Sequence, residues 1–180
     1  VDKELFEKIQ DGDPRAFDSL AIKISPELYG FILRMVQNEN DAKDILQDTL
    51  VRVWEKRHQF RGTSTVKTWI YRIAINLSYT HLKRRQRWGT ALLDEVKSLV
   101  SGSDPQQETE QLFQSEMLER SLSSLTPRQK AVVMARIYED LPFAEISKAL
   151  GCSVNAAKVH FHEGKKRIES YMKAKVGENG

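Results

Sequence analysis

One cysteine, Cys152, occurs in the 180 residues. That excludes an internal disulfide and a zinc site built from cysteines. Long apolar runs are also missing, because Arg or Lys interrupts the longest candidates every few residues, so no segment is expected to span a membrane. The first twenty residues carry Asp2, Glu4, Glu7 and Asp11, the opposite of the basic start of a signal peptide, and the cytoplasm is the expected location. No segment has a clear strand pattern, and no internal repeat is visible. Patterns that carry catalysis are absent too: there is no His-x-x-x-His pair, phosphate-cradling glycine loop or nucleophile elbow. His160 and His162 stand two apart, so on a helix they point to opposite sides and chelate poorly, while His58 and His81 are isolated and expected at the surface. No metal, cofactor or enzymatic activity is expected.

What is present is 40% hydrophobic and 29% charged, the composition of a soluble globular chain. Its net charge of +3 hides an asymmetry. Acidic residues dominate from Glu39 to Asp48 and from Asp104 to Glu119; basic ones concentrate at Lys83 to Arg87 and Lys165 to Lys175. Separate acidic and basic surfaces imply at least two kinds of partner.

Helical periodicity runs almost throughout. Leu5, Phe6 and Ile9 form a stripe that ends at Asp11-Gly12-Asp13-Pro14, where Asp13 is the expected cap and Pro14 the first helical residue. Phe17, Leu20 and Ile24, then Leu28, Phe31, Ile32 and Met35 after Pro26, continue the apolar face. Asn40 or Asp41 is expected to cap the next helix, which carries Ala42, Ile45, Leu46, Leu50, Val53 and Trp54. After a loop at Arg61 to Ser64, a long helix bears Val66, Trp69, Ile70, Ile73, Ala74 and Leu77 and runs into Lys83 to Arg87. Residues 98–111 are rich in Ser, Gly, Asp, Gln and Glu, a composition that cannot bury a core and suits a flexible linker. The expected fold is all-α: two small helical domains at 1–90 and 112–180, joined by a linker at 91–111.

The sharpest local pattern is Phe143 to Leu150, the turn Gly151-Cys152-Ser153, and a helix from Val154 onward, which is the helix-turn-helix arrangement. Ser147 is small and Gly151 follows four residues later, so a close approach of the helices and a left-handed turn are expected. Ser153 can cap the second helix and leave its N-terminus free for DNA. With Ala157, Phe161 and Ile168 inward, Asn155, Lys158, Val159 and His162 project outward, with Lys165, Lys166 and Arg167 behind them for phosphates. An ordinary helical hairpin is the plainer alternative for this segment taken alone. Cys152 needs only to be small and partly buried.

Three features of the first half call for a joint explanation. Asp44, Gln47, Asp48 and Glu55 line an acidic-polar face opposite an apolar stripe. Phe60-Arg61-Gly62 precedes Thr68-Trp69-Ile70-Tyr71-Arg72 and Ala74-Ile75-Asn76. Lys83-Arg84-Arg85-Gln86-Arg87 closes the long helix. In order and with a linker between, these segments and Leu125-Thr126-Pro127-Arg128-Gln129 plus the helix-turn-helix resemble the extracytoplasmic-function (ECF) sigma factors over most of the chain.

The resemblance implies that Asp44, Gln47 and Asp48 contact the coiled coil of the polymerase's large subunit, with Leu50 and Trp54 supporting that helix. It implies minus-ten recognition by Arg61, Trp69, Tyr71, Arg72 and Asn76, the last capturing a flipped base, and phosphate neutralisation by Lys83, Arg84, Arg85 and Arg87. Trp69 and Tyr71 are both candidates for stacking on an unpaired base, and at their spacing one of them is expected in the core. The second domain would read the minus-thirty-five element through Ser153, Asn155, Lys158, Val159, His162, Lys165 and Lys166 and meet the polymerase flap. Val159, His160 and Glu163 stand where the family often carries Arg or Ser just after the lysine and an Arg further on; Val159 suits a thymine methyl and Glu163 a cytosine amine. The implied partners are RNA polymerase core, promoter DNA and an anti-sigma factor, the protein being a monomer when free or one-to-one with its inhibitor. A helix-turn-helix regulator that never binds polymerase core is the main alternative.

Overall fold

A computed structural model describes residues 3–92 and 110–178, with side chains over 3–89 and 117–174. Among these residues there is no strand. The helices are α1 (Lys3–Gln10), α2 (Pro14–Val36), α3 (Glu39–Glu55), a 3-10 turn (Arg57–Gln59), α4 (Val66–Leu92), α5 (Glu110–Ser123), α6 (Pro127–Ile137), α7 (Phe143–Leu150) and α8 (Val154–Glu178). Most of the 91–111 linker expected from sequence lies outside the described residues.

Local chemistry sets the helix ends. Asp13 caps α2, its carboxylate accepting from the amides of Arg15 (2.9 Å) and Ala16 (3.4 Å), with Pro14 first in the helix. α2 runs on through Pro26. The carbonyl that proline deprives of a partner belongs to Ile22, a residue 77% exposed, so water can serve it. The α3 cap is Asn38, whose side chain accepts from the Asp41 amide at 2.9 Å, rather than Asn40 or Asp41. An extended residue directly before the helix has its side chain in reach of the third amide, which neither later position allows. Asp41 instead faces α4, 3.1 Å from His81 and 3.9 Å from Arg85, so His81 is a half-buried partner and not the isolated surface residue expected. Gln10 fixes the 3-10 turn by donating to the carbonyls of Arg57 (2.9 Å) and Phe60 (3.1 Å).

The first half packs α2 against α3 and α4, with α1 across α2. Phe6, Ile9, Leu20, Leu28, Phe31, Ile32 and Met35 are fully buried there, each side chain contributing about 1.5–3 kcal/mol by leaving water. α4 supplies Ile70, Tyr71, Ala74 and Ile75 to the same core.

In the second half, Thr126 and Gln129 form a reciprocal capping box at the start of α6. Gly151 closes α7 in the left-handed region (φ 59°), and the amide of Cys152 returns to the Ser147 carbonyl at 3.1 Å. Ser153 caps α8, accepting from the Ala156 amide at 3.1 Å. Gly151 has open space where a Cβ would stand, so its backbone angle alone requires glycine. A close helix approach occurs at Gly164 of α8, where a Cβ would lie 2.7 Å from Val133 of α6.

The two halves are packed together. Their buried apolar residues form one continuous cluster, and α4 lies against both α6 and α7. Gln37, left-handed at φ 54°, joins the halves at one end. Its amide donates to the Glu119 carbonyl (2.9 Å), and its oxygen accepts from Ser123 (2.8 Å) and Lys130 (2.9 Å). Lys67 of α4 bridges Glu27 and Glu139, the latter at 3.4 Å. Arg34 lies over the ring of Tyr138, 5.3 Å from its centre.

Two predictions arise from this packing. Gly164→Ala should cost about 1–3 kcal/mol in chemical denaturation, because the β-branched Val133 has few ways to move aside. Lys130 is 5% exposed, and burial, followed by repulsion from Arg85, lowers its ammonium from the usual 10.5 to about 8. The folded protein therefore bears the cost of a buried charge below pH 8 and sheds it as pH rises from about 8 to 10.5, while the unfolded chain stays protonated. The stability of Lys130→Met relative to the parent should be greatest below pH 8 and decline toward pH 10; a difference that stays constant with pH would contradict this.

Candidate nucleic-acid and polymerase interfaces

Three surfaces carry the residues singled out in the sequence. On α3, Ala42, Ile45, Thr49 and Val53 turn inward, which leaves Asp44, Gln47 and Asp48 exposed on the outer face. Leu50 and Trp54 are half-buried beside that face. Trp54 is held between Phe17, at a ring distance of 5.2 Å, and the Arg57 guanidinium, 4.3 Å from its ring centre. Their packing fixes the helix rather than presenting a contact. Val51, one turn beyond Gln47 and Asp48, is 49% exposed and was not singled out. Its spacing from Asp44, Gln47 and Asp48 was the available signal: an apolar side chain on the acidic stripe of an otherwise amphipathic helix.

The second surface is one side of α4 with the loop before it. Arg61 is exposed in that loop, which the left-handed Gly62 (φ 69°) turns. Tyr71 is not on this surface. It is fully buried against Phe31, ring centres 5.2 Å apart, and burial pushes its hydroxyl far above the usual tyrosine range. Of the two aromatic candidates it is the core residue, so its assignment to minus-ten DNA is corrected: residues 70, 71, 74 and 75 all face inward on a helix of 3.6 residues per turn. Trp69 is half-exposed. It is fixed edge-on against Phe6 (5.6 Å) and tilted against Phe60 (5.7 Å), and opens onto a cleft of about 280 Å³. Arg52, Lys56, Gln59, Arg72 and Asn76 line that cleft with it. An aromatic plane, amides and cations in one cleft can stack a base, read its edge and neutralise its phosphate.

Lys83, Arg84, Arg85 and Arg87 are all exposed further along α4. Trp88 follows them at 68% exposure. A large aromatic beside four cations is a second stacking candidate, and the sequence offered it plainly as the residue that ends the basic run.

Asn76 and Arg72, however, are engaged by the second half of the chain. The Asn76 amide donates to the Ala149 carbonyl at 2.8 Å, and the Arg72 guanidinium donates to Glu145 at 3.2 Å. Glu145 also accepts from Lys148 at 2.7 Å, and its side chain is only 11% exposed. Nothing in the sequence pattern points to these partners.

The third surface is the outer face of α8. Ser153, Asn155, Lys158, Val159, His162, Lys165 and Lys166 are all exposed, while Ala157 and Gly164 are buried and Phe161 and Ile168 half-buried. Phe161 packs edge-on against Phe143 at 5.5 Å, joining the two helices of the helix-turn-helix. Glu163 accepts from the Gln129 side chain at 3.2 Å. That bond ties α8 to the capping box of α6 and gives the carboxylate a structural partner within its own domain. Cys152 is half-buried in the turn. Among the described residues no helix is long and apolar enough to cross a membrane, and no group of His, Cys, Asp and Glu is placed to hold a metal.

Comparison with known proteins agrees with this geometry. Residues 20–88 match sigma-70 region 2, and residues 115–168 match sigma-70 region 4. The chain is 26% identical to the RNA polymerase sigma-H factor of Pseudomonas aeruginosa, covering 95% of this chain and 93% of that protein. It is 27% identical to the ECF RNA polymerase sigma-E factor of Haemophilus influenzae, covering 94% of each. The fold is similar to that of the sigma factor RpoE of Bartonella quintana, solved in complex with the anti-sigma factor NepR: TM-score 0.66, 19% identity, 87% of this chain and 96% of that one. It is also similar to CnrH, solved with the cytosolic domain of CnrY: TM-score 0.68, 18% identity, 96% of this chain and 97% of that one. With both sigma-70 regions matched in order and relatives aligned along nearly the whole length, the chain belongs to the sigma-70 family as an ECF sigma factor, one of a family of non-enzymatic transcription factors.

Proposed function

We propose that this sigma factor binds polymerase core through the exposed face of α3 and reads promoters at two places, with α4 at the minus-ten element and α8 at the minus-thirty-five element. The observation that carries the proposal is the segregation of side chains on α3: Asp44, Gln47 and Asp48 stand together outside while every apolar residue at helical spacing except Val51 packs inward. A carboxylate pair flanking an apolar spot suits a basic, partly apolar helical partner such as the coiled coil of the large subunit. The domain division proposed is region 2 at 1–90, linker at 91–111 and region 4 at 112–180, with the polymerase flap as the partner of region 4.

On α4, Trp69, or Trp88 at its far end, would hold an unstacked base, Asn76 would read a base edge, and Arg61, Arg72, Lys83, Arg84 and Arg85 would take phosphates. On α8, Asn155, Lys158, Val159 and His162 would enter the major groove, while Ser153, Lys165 and Lys166 hold the backbone. Glu163 would act within the domain through Gln129 and not at a cytosine. An anti-sigma factor is the proposed inhibitor, since the fold is shared with sigma factors solved in such complexes. The factor would act in the cytoplasm as a monomer, or one-to-one with that inhibitor.

Run-off transcription with bacterial core polymerase on promoter DNA from the source genome is the direct test. Promoter-dependent transcripts should appear with this protein and fall more than about tenfold when Asp44→Lys and Asp48→Lys are combined. DNA binding with neither core binding nor transcripts would instead indicate a regulator that acts without core. The basic run has its own signature. Replacing Lys83, Arg84 and Arg85 by Ala should weaken promoter binding across sequences and reduce the dependence of log affinity on log salt by about 1 per residue.

A further inference from the structure

Two cations line one groove, and neither is closely paired. The groove, about 770 Å³, lies between the C-terminal parts of α2 and α4 on one side and α5 with the start of α6 on the other. Lys130 of α6 and Arg85 of α4 bring charge to it, and Val36, Leu82, Leu122 and Leu125 give it apolar walls. Lys130 is 5% exposed, and its ammonium donates to the Gln37 side-chain oxygen at 2.9 Å. Among the described residues no carboxylate pairs with it. Arg85 is exposed, and its carboxylate partner, Asp41, is 3.9 Å away and shared with His81. A buried ammonium is ordinarily matched by a carboxylate, because an unmatched one bears most of its desolvation cost.

Such a site favours the neutral amine. Burial first, then repulsion from Arg85, opposed by Glu119, lowers the Lys130 ammonium to about 8. Part of it is therefore a free nucleophile near neutral pH, where a surface lysine stays protonated. The surroundings also select the electrophile. Apolar walls and an almost fully covered amine favour a small uncharged reagent over a bulky anionic acyl donor. The product must suit Arg85 as well, and an anion on Nζ would turn repulsion into attraction. Carbon dioxide meets both conditions.

We propose that Lys130 takes up carbon dioxide as a carbamate, which the Arg85 guanidinium holds in the groove between α4 and α6. The neutral Nζ attacks the carbon of carbon dioxide, a C–N bond forms, and one C–O π pair moves onto oxygen. Water takes the proton that the nitrogen loses. Amine and carbon dioxide thus give carbamate and a proton, with no oxidant or reductant. The nitrogen keeps one hydrogen for the Gln37 oxygen, and Ser123, 2.8 Å from that same oxygen, offers the new carboxylate a hydroxyl. The site passes from cation to anion, and an ion pair then joins α4 to α6 at the groove.

The test incubates the full chain with isotopically labelled carbon dioxide and bicarbonate, follows the carbamate carbon by NMR, and traps it by O-alkylation with a trialkyloxonium salt for peptide mapping. A carbamate resonance should appear, and the trapped group should map to the peptide that bears Lys130. Occupancy at fixed carbon dioxide should rise as pH rises through about 8, because the neutral amine is the reactant. Lys130→Arg keeps a cation that forms no carbamate, and should lose the trapped group. Arg85→Gln changes an exposed side chain, which leaves the fold intact, and should lower occupancy at Lys130 about fivefold, the worth of one partly exposed ion pair. Carbon dioxide at constant pH and ionic strength should raise the thermal midpoint of the parent and leave that of Lys130→Arg unchanged.

Trapping confined to the terminal amine and surface lysines would overturn the proposal. So would occupancy at Lys130 that Arg85→Gln leaves unchanged, since the groove would then contribute no pairing cation. Both readouts are taken on the folded parent and on an exposed-site variant, so a folding defect in Lys130→Arg decides neither.

Discussion

Helix α4 is the element on which both halves depend, because it is buried on one side and contacted on the other. Ile70, Tyr71, Ala74 and Ile75 insert into the core made by α2 and α3, and this fixes the helix's rotation about its own axis. At 100° per residue, burying those four positions leaves Trp69, Arg72 and Asn76 no choice of direction. They line one cleft because their neighbours are core. The chemistry of a flexible single strand, with its stacked bases and phosphates, would be met by side chains whose positions a rigid helix has already set.

The same rigidity explains how the second half can lie there. α7 is short and amphipathic, and it offers α4 a carboxylate and a helix-terminal carbonyl that its own geometry leaves without intrahelical donors. Ala149 lies in the last turn, so its carbonyl is one of the orphans of the helix end, and the Asn76 amide satisfies it. Gln37 performs the complementary service at the other end of the interface, meeting Lys130, Ser123 and the Glu119 carbonyl with one side chain. Lys67, Arg72, Asn76 and Gln37 each find a polar partner across this junction. An apolar junction of equal size would hold region 4 with less directional specificity, and an unmatched one would not close.

Legibility in the sequence followed the range of the interactions. The Asp13-Pro14 start, the left-handed Gly151 and the Ser153 cap were readable because each is decided within four residues. The exposed faces of α3 and α8 were readable because 3.6-residue periodicity sorts side chains without knowledge of what covers them. Where two local solutions competed, reading was less sure. Asn38 took the cap from Asn40 and Asp41, which released Asp41 to pair with His81 on another helix. Tyr71 and Trp69 could be separated only by knowing which side of α4 the core occupies.

By itself, then, the sequence determined an all-helical chain, its helix-turn-helix and its acidic and basic surfaces, which rest on short-range backbone chemistry and periodic patterning; its place among the sigma factors came from the resemblance of its motifs, in order, to that family. Tertiary structure alone decided that α8 leaves no room for a side chain at Gly164 beside α6, that Glu163 belongs to Gln129, and that Glu145 and Ala149 sit on Arg72 and Asn76. Those contacts join residues 31 to 73 positions apart, and no local propensity encodes them. They arise only when two amphipathic surfaces pack together and bring donors of one opposite acceptors of the other.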